Sequence, residues 1–227
     1  QYYFAYRPPY VLEFVYQGIE YVMINNHFKC CGDGELDLND TSDEEYRRLI
    51  SNQLLEEFVN DTYPNKRVII LGDLNDSLTD EEEDNVFWNF LNSDLFLFAD
   101  YSIANGTSSN WSFPGWPSHI DHILISNELF TDFENSDILT FKVDNYLLGG
   151  LNTYDNYISD HRPVFMRFDF GNNIQGDINS DGTLDILDVI AIVNLVLGDE
   201  YNEFADMNYD GTLNVMDVVI VVNSILN

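Results

Sequence analysis

Four short segments carry side chains suited to hydrolysing a phosphate ester: Asn25-Asn26-His27-Phe28-Lys29, Gly72-Asp73-Leu74-Asn75-Asp76, Ile120-Asp121-His122-Ile123-Leu124 and Ser159-Asp160-His161-Arg162-Pro163-Val164. Cleaving such an ester with water needs a cation to neutralise the phosphoryl oxygens, a group to orient or deprotonate the water, and donors for the transition state. Asp73 and Asn75, one residue apart at a strand end, can face one site as acceptor and donor. An Asp and a His drawn from distant segments can fix an imidazole tautomer and stabilise imidazolium. Each segment alone is commonplace, since an Asp-His pair is usually a surface pair and GDLND an ordinary turn. The four together, in this order, point to one site.

The elements that must position them read as an α/β body. Tyr10 to Tyr16 and Glu20 to His27 are expected strands about a Gln17-Gly18 turn. Cys30 to Asp40 is a loop; Ser42 and Glu45 suggest a capping box, and apolar residues then recur at helical spacing to Tyr63-Pro64. Arg67 to Leu71 reads as a buried strand, and a short aromatic helix is expected near Phe87 to Leu91. Residues 104–118 form a long surface loop in which Trp111 and Trp116 are expected to pack rather than to stack on substrate. Ile120 to Ile125, Ile138 to Val143 and Pro163 to Phe168 are further strands. Three of the four segments thus fall at strand ends, where an α/β sheet presents chemistry. His122, Asp76 and the acidic run Asp80 to Asp84 are assigned no part in it, the acids being read as solvated loop charges.

At Gly171-Asn172-Asn173 the composition changes, and a repeat with a 29-residue period begins. GDINSDGTLDILDVIAIVNLVL, from Gly176, aligns with ADMNYDGTLNVMDVVIVVNSIL, from Ala205. Each copy supplies oxygens at alternate positions of a 12-residue loop: Asp177, Asn179, Asp181, Thr183 (through its carbonyl), Asp185 and Asp188, then Asp206, Asn208, Asp210, Thr212, Asn214 and Asp217. Gly182 and Gly211 permit the sharp turn, and hard oxygen ligands in this pattern suit Ca²⁺. Two Ca²⁺ are expected, each loop opening an apolar helix, Val189 to Leu197 and Val218 to Leu226.

The repeat resembles type I dockerins, modules that plug a secreted enzyme into a cohesin. Asp at position 12, a single helix after each loop and near-duplicate copies carry the resemblance, which covers residues 176–227. It implies a cohesin-like partner reached through Ile186-Leu187 and Val215-Met216; the alternative is that these pairs pack the repeats together.

The four segments resemble the endonuclease/exonuclease/phosphatase family. That resemblance implies a two-sheet α/β sandwich flanked by helices, present only in part, over residues 1–170, with 171–175 as linker to the small all-α calcium-binding module. It implies catalytic roles for His27, Asp73, Asn75, Asp121 and His161, substrate binding by Arg7 and Asn26, and an Asp160 ligand to Mg²⁺ or Mn²⁺. His27 and Asn75 would touch phosphate, Asp73 activate water, and Asp121 orient His161. The family's early metal-binding Glu and Asn have no match here, so the sequence is expected to be a fragment, inactive alone, of an active parent.

The formal charge of −31 comes from 40 acids against 9 bases, and residues 174–227 hold 10 of the acids and no base. Such a surface repels nucleic acid unless cations and salt soften it, and clustered carboxylates bind divalent cations. The adjacent Cys30 and Cys31, expected free or paired outside this chain, decide little about compartment. No apolar run is long enough to span a membrane. The expected function is a secreted, bacterial-type, extracellular or cell-surface phosphodiesterase, a nuclease first, acting on DNA or another phosphodiester. A sphingomyelinase-like or other phosphatase and a non-catalytic dockerin-bearing adaptor are the alternatives. A polysaccharide-degrading enzyme, suggested only by the company dockerins keep, lacks a recognisable carboxylate pair.

Overall fold

The computed structural model describes residues 1–16, 18–168, 174–179, 181–198 and 200–226, and so leaves most of the expected linker outside the described residues. The chain divides into two compact units, the first made of Gln1–Tyr16 and Glu20–Asp169 and the second of Gln17–Ile19 and Phe170–Asn227. Strands β1 (Tyr10–Tyr16) and β2 (Ile19–His27) precede helix α1 (Glu44–Thr62) and strand β3 (Arg67–Asp73). A short helix α2 (Trp88–Leu91), strand β4 (Phe96–Phe98) and helix α3 (Tyr101–Ala104) lead to β5 (Asp121–Ser126). Helix α4 (Phe130–Phe133), β6 (Asp137–Thr140), α5 (Gly150–Tyr157) and β7 (Val164–Arg167) follow. The second unit holds α6 (Ile186–Gly198) and α7 (Val215–Leu226).

Five strands form a sheet in the order β1-β2-β3-β5-β4, and β6 pairs with β7 in a second, two-stranded sheet. The α/β class and the two sheets are those the sequence led us to expect. β2 and β3 run parallel; β3–β5 and β4–β5 are antiparallel. Val68, Ile69 and Ile70 are all buried, as are Ile123, Leu124 and Ile125. Both faces of the central strands are therefore covered, which is why they read as continuous rather than alternating apolar runs. Val22, Ile24, Val68, Ile70 and Leu124 pack with Leu55 and Val59 of α1 and with Phe87, Phe90, Phe96 and Phe98 in one core.

The start of α1 departs from the expected capping box. Asp43, not Ser42, is the N-cap, its Oδ1 accepting the Tyr46 N–H at 2.7 Å. Glu45 is then free to turn inward, where it is buried and pairs with Arg48 at 2.8 Å. Burial, only partly offset by the Gly34 N–H and Arg48, pushes the Glu45 carboxyl above its ordinary range.

The acidic residues after β3 are not all solvated either. Asp76 is buried against Arg48 Nε at 2.7 Å, and Asp84 accepts the Leu36 N–H at 3.0 Å. Burial and the neighbouring Asp76 raise the Asp80 carboxyl to about 7. Glu81, Glu82 and Glu83 are exposed, as expected. A buried Arg48 supplied by α1 is what draws Asp76 in, and nothing in the local sequence announces that partner.

In the second unit both helices start three residues earlier than the apolar runs suggested, at Ile186 and Val215. Val189, Ile192, Ala205 and Val221 form a small core. Ile186, Leu187, Val215 and Met216 are 54–65% exposed, so they do not pack the repeats together. Among the described residues no helix is long and apolar enough to cross a membrane.

Candidate active site

Strand register builds the site. His27, the last residue of β2, pairs with Asp73, the last of β3, and Asp73 stands opposite Asp121, the first of β5. Because β5 runs against β3, its beginning lies at the same sheet edge as the ends of β2 and β3. Neighbouring strands lie about 4.8 Å apart, so the three side chains form a row across that edge. His161 arrives from the segment before β7, and its Nδ1 lies 2.8 Å from Asp121 Oδ2. Atoms of Asp73, Asp121 and His161 come within 4.8 Å of one another, and His27 Nε2 lies 3.4 Å from Asp73 Oδ2.

The turn after β3 is shaped for close approach. Gly72 has φ +133°, and a Cβ there would fall 1.9 Å from the Asn26 carbonyl oxygen, so only glycine lets β2 and β3 pair to their ends. Asn75 takes a left-handed φ of 57°, its N–H bonded to Asp73 Oδ1 at 3.1 Å in an Asx turn. This brings Asn75 Nδ2 to the Phe28 carbonyl at 3.3 Å, leaving its second amide proton available.

His27, Asp73, Asn75, Asp121, Asp160 and His161 all line one cleft of about 900 Å³. The two substrate-binding expectations fare differently from these. Arg7 is outside the cleft lining and donates to the Phe28 carbonyl at 2.6 Å, the oxygen that Asn75 also reaches. Asn26 is buried, on the opposite face of β2 from the exposed Asn25 and His27, because successive strand residues alternate sides. The expectation that Asn26 faces substrate is corrected by that parity. Trp111 packs as expected, its Nε1 donating to the Ile103 carbonyl at 3.1 Å, but Trp116 is 78% exposed on the cleft rim. Cys30 and Cys31 are free thiols in the cleft wall.

The electrostatics suit proton transfer beside a cation. Burial, then the facing Asp121 charge, pushes the Asp73 carboxyl up, with His161 and His27 opposing. The hydrogen bond to Asp121 raises the His161 imidazole against the pull of burial, and the Asp121, Asp73 and Asp160 charges raise it further. With Nδ1–H directed at Asp121, Nε2 is the His161 atom left for chemistry. Phe113 packs against the imidazole with ring centroids 4.8 Å apart, and Tyr154 Oη holds the His161 carbonyl at 2.7 Å. Asp121→Asn will therefore lower the His161 pKa toward or below its ordinary 6.5, as read by imidazole NMR of the four histidines. A raised histidine pKa contributes stability that is full below 6.5 and fades as pH rises through the folded value. An unmoved His161 titration in the variant would show the pair to be electrostatically idle.

Behind the cleft lies a buried triad that the sequence reading missed. Asp100 Oδ2 meets His119 Nε2 at 3.0 Å and His122 Nδ1 at 2.7 Å, and its Oδ1 accepts the Ile123 N–H at 2.8 Å. His119 Nδ1 accepts the Ser112 N–H, and His122 Nε2 donates to the Asp76 carbonyl at 2.8 Å. Every ring nitrogen is engaged, so the group is a structural brace under the 73–77 turn rather than a metal centre. His122, both ring nitrogens bound to protein groups, stands outside the cleft lining. The only sequence trace of the triad is His119, three residues before His122.

An α/β body with carboxylates and imidazoles gathered at one sheet edge, followed by a paired loop-helix repeat, defines a two-part protein: a hydrolase-type domain and a calcium-loop module. Residues 6–161 match the family model described as Endonuclease/Exonuclease/phosphatase family, and the chain belongs to that family. Residues 175–226 match the Dockerin type I domain. Similar solved structures include truncated Caenorhabditis elegans TDP2 (16% identity, 70% of this chain and 58% of that one, TM-score 0.46). An AP endonuclease from Archaeoglobus fulgidus (14%, 70% and 65%, 0.47) and the human Nocturnin catalytic domain (20%, 70% and 51%, 0.43) are also similar. The chain spans less than two thirds of the length of these structures. No curated protein matches it.

Proposed function

We propose that this chain belongs to a secreted, metal-dependent phosphodiesterase, a nuclease in the first instance, held to a cohesin-like partner through its dockerin module. The observation that carries the reading is the row His27–Asp73–Asp121, closed by His161 at 2.8 Å from Asp121. The donor set fits a hard divalent cation: Asp73, Asp121 and Asp160 put three carboxylates in one cleft, and the facing pair Asp73–Asp121 repel each other without one. Mg²⁺ or Mn²⁺ bound there, with Asp160 among its ligands, would supply charge neutralisation at the phosphoryl oxygens. Asp73, its carboxyl raised by burial and by the facing Asp121, accepts a proton from the attacking water. Asn75 Nδ2 and His27 donate to the phosphoryl oxygens. His161, whose imidazolium form Asp121 favours, donates from Nε2 to an oxygen of the scissile phosphate. In the module, the two loops would each hold one Ca²⁺ through the oxygens named above. The exposed pairs Ile186-Leu187 and Val215-Met216 support a protein partner.

The acidic surface favours a second reading within the same chemistry, a small or lipid phosphoester such as sphingomyelin, since −31 charges repel a polyanion. Assay of the full-length protein against DNA, RNA, sphingomyelin and inositol phosphates separates the two. Turnover with Mg²⁺, abolished by EDTA and reduced about 10²–10⁴-fold by His161→Ala, is expected. A folded full-length protein that hydrolyses none of the panel would leave an inert remnant carried by a dockerin.

A further inference from the structure

The segment between β2 and α1 forms one wall of the cleft through Cys30, Cys31, Gly32, Asp33 and Gly34. Asp33 from this segment, and Asp43 and Glu45 from the start of α1, bring one carboxylate oxygen each to within 4.8 Å of one another. Each acid spends one oxygen locally. Asp33 Oδ1 accepts the Glu35 N–H at 3.1 Å and Asp43 Oδ1 the Tyr46 N–H at 2.7 Å. Glu45 Oε1 accepts the Gly34 N–H at 2.9 Å and pairs with Arg48 at 2.8 Å. The second oxygen of Glu45 is different in kind. Glu45 is 2% exposed, and Oε2 is buried with no hydrogen-bond partner among the described residues. A buried carboxylate oxygen without a hydrogen bond carries a desolvation cost that the Arg48 and Gly34 contacts, both made at Oε1, offset only in part. Arg48 is already shared with Asp76 at 2.7 Å, so it does not neutralise three further acids.

Gly32 brings the backbone of the cleft wall against these oxygens. Gly32 has φ +111°, and a Cβ there would lie 2.1 Å from Glu45 Oε1 and 2.5 Å from Oε2. The glycine therefore lets residue 32 of the cleft wall pack directly against the Glu45 carboxylate, a contact that any side chain there would block. The donors are all hard oxygens. Oxygens ligating one Ca²⁺ at roughly 2.3–2.6 Å can lie up to about 5 Å apart, whereas Mg²⁺, at about 2.0–2.1 Å in a strict octahedron, demands tighter convergence.

We propose that Asp33, Asp43 and Glu45 form a Ca²⁺ site that clips the cleft wall to the start of α1. It shares no residue with the carboxylates at the sheet edge or with the two repeat loops. Its ion replaces the missing partner of Glu45 Oε2 and ties residue 33 to residues 43 and 45, closing the loop that faces substrate. Water and backbone carbonyls complete the coordination.

The test is calcium stoichiometry of the full chain, measured by equilibrium dialysis and by native mass spectrometry. Asp33→Asn with Asp43→Asn removes two ligand charges while Asn at position 43 still caps the helix. This double variant is expected to bind one Ca²⁺ fewer than the unsubstituted chain, with its far-ultraviolet circular dichroism unchanged. Glu45→Gln, which neutralises the buried oxygen, is expected to lose the same ion. Asp73→Asn with Asp160→Asn, altering the sheet-edge acids, is expected to leave that ion in place. Equal calcium counts in the Asp33/Asp43 variant and the unsubstituted chain at saturating Ca²⁺ would overturn the proposal, as would loss of the ion only with the sheet-edge variant.

Discussion

Adding a calcium chelator is expected to abolish the helical structure of α6 and α7 while leaving the first unit folded. Four carboxylates of the second unit, Asp177, Asp188, Asp206 and Asp217, are at most 6% exposed. The unit has no lysine or arginine to pair with them. Asp188 uses its oxygens to accept the Ile178 and Asn179 N–H groups at 2.9 and 3.2 Å and the Asp185 N–H at 2.9 Å, and Asp217 repeats the arrangement with Met207, Asn208 and Asn214. These bonds close each loop but do not cancel its charge. The apolar core, four buried and eight partly buried residues among those described, is too small to carry the repulsion by itself. Cation binding and folding are then one equilibrium. At a thousandfold excess over its dissociation constant each Ca²⁺ contributes about 4 kcal/mol, which two sites double. Far-ultraviolet circular dichroism across a chelator titration reads the loss, and backbone NMR assigns it to residues 174–226. An unchanged helical signal would show that the loops hold without metal.

Asp100→Ala is the second large effect, expected to destabilise the first unit by about 3–5 kcal/mol, as for removal of one partner from a buried ion pair. The substitution strands the His119 and His122 N–H groups and the Ile123 N–H in a site with no solvent access. The His122 ring donates from both nitrogens, so it is an imidazolium. Burial disfavours that charge, but the Asp100 carboxylate and its hydrogen bond outweigh burial and raise the His122 pKa. Asp100 is also penalised by burial, yet the two histidines together hold it well below the carboxylate range. A lowered acid contributes stability fully present above its unfolded value near 3.8 and lost as pH falls through the folded one. A raised histidine contributes fully below 6.5 and loses its contribution as pH rises through its folded value. The difference between variant and unsubstituted protein is therefore greatest between about pH 4 and 6.5 and shrinks on the alkaline side. Urea midpoints at pH 5.5 and pH 9 test this, and equal midpoints at pH 5.5 would remove the triad from the stability of the fold. Because His122 also holds the Asp76 carbonyl, the variant is expected to loosen the turn that carries Asp73 and Asn75.

The sequence by itself determined the features whose physics is local. A calcium loop is twelve consecutive residues, so its ligands, its glycine and the helix it opens are all visible in one window. The strand-end motifs are legible for the same reason: the residue types that phosphate chemistry needs must be written at the positions themselves. Continuous apolar runs announced β3 and β5, since burial on both faces leaves no room for polar alternation.

Tertiary structure decided what depends on partners far along the chain. Which of Asn25 and Asn26 shares a face with His27 is a matter of strand parity, and a shift of one residue exchanges them. That Asp76 is buried follows from where Arg48 of α1 lands. Asp100 shows no local sign of its role, because its two histidines lie 19 and 22 residues away. The row His27–Asp73–Asp121 exists only once three strands adopt one register. That register is set by the packing of Ile24, Ile70 and Leu124 in a common core, an energy summed over distant side chains that no single stretch of sequence contains.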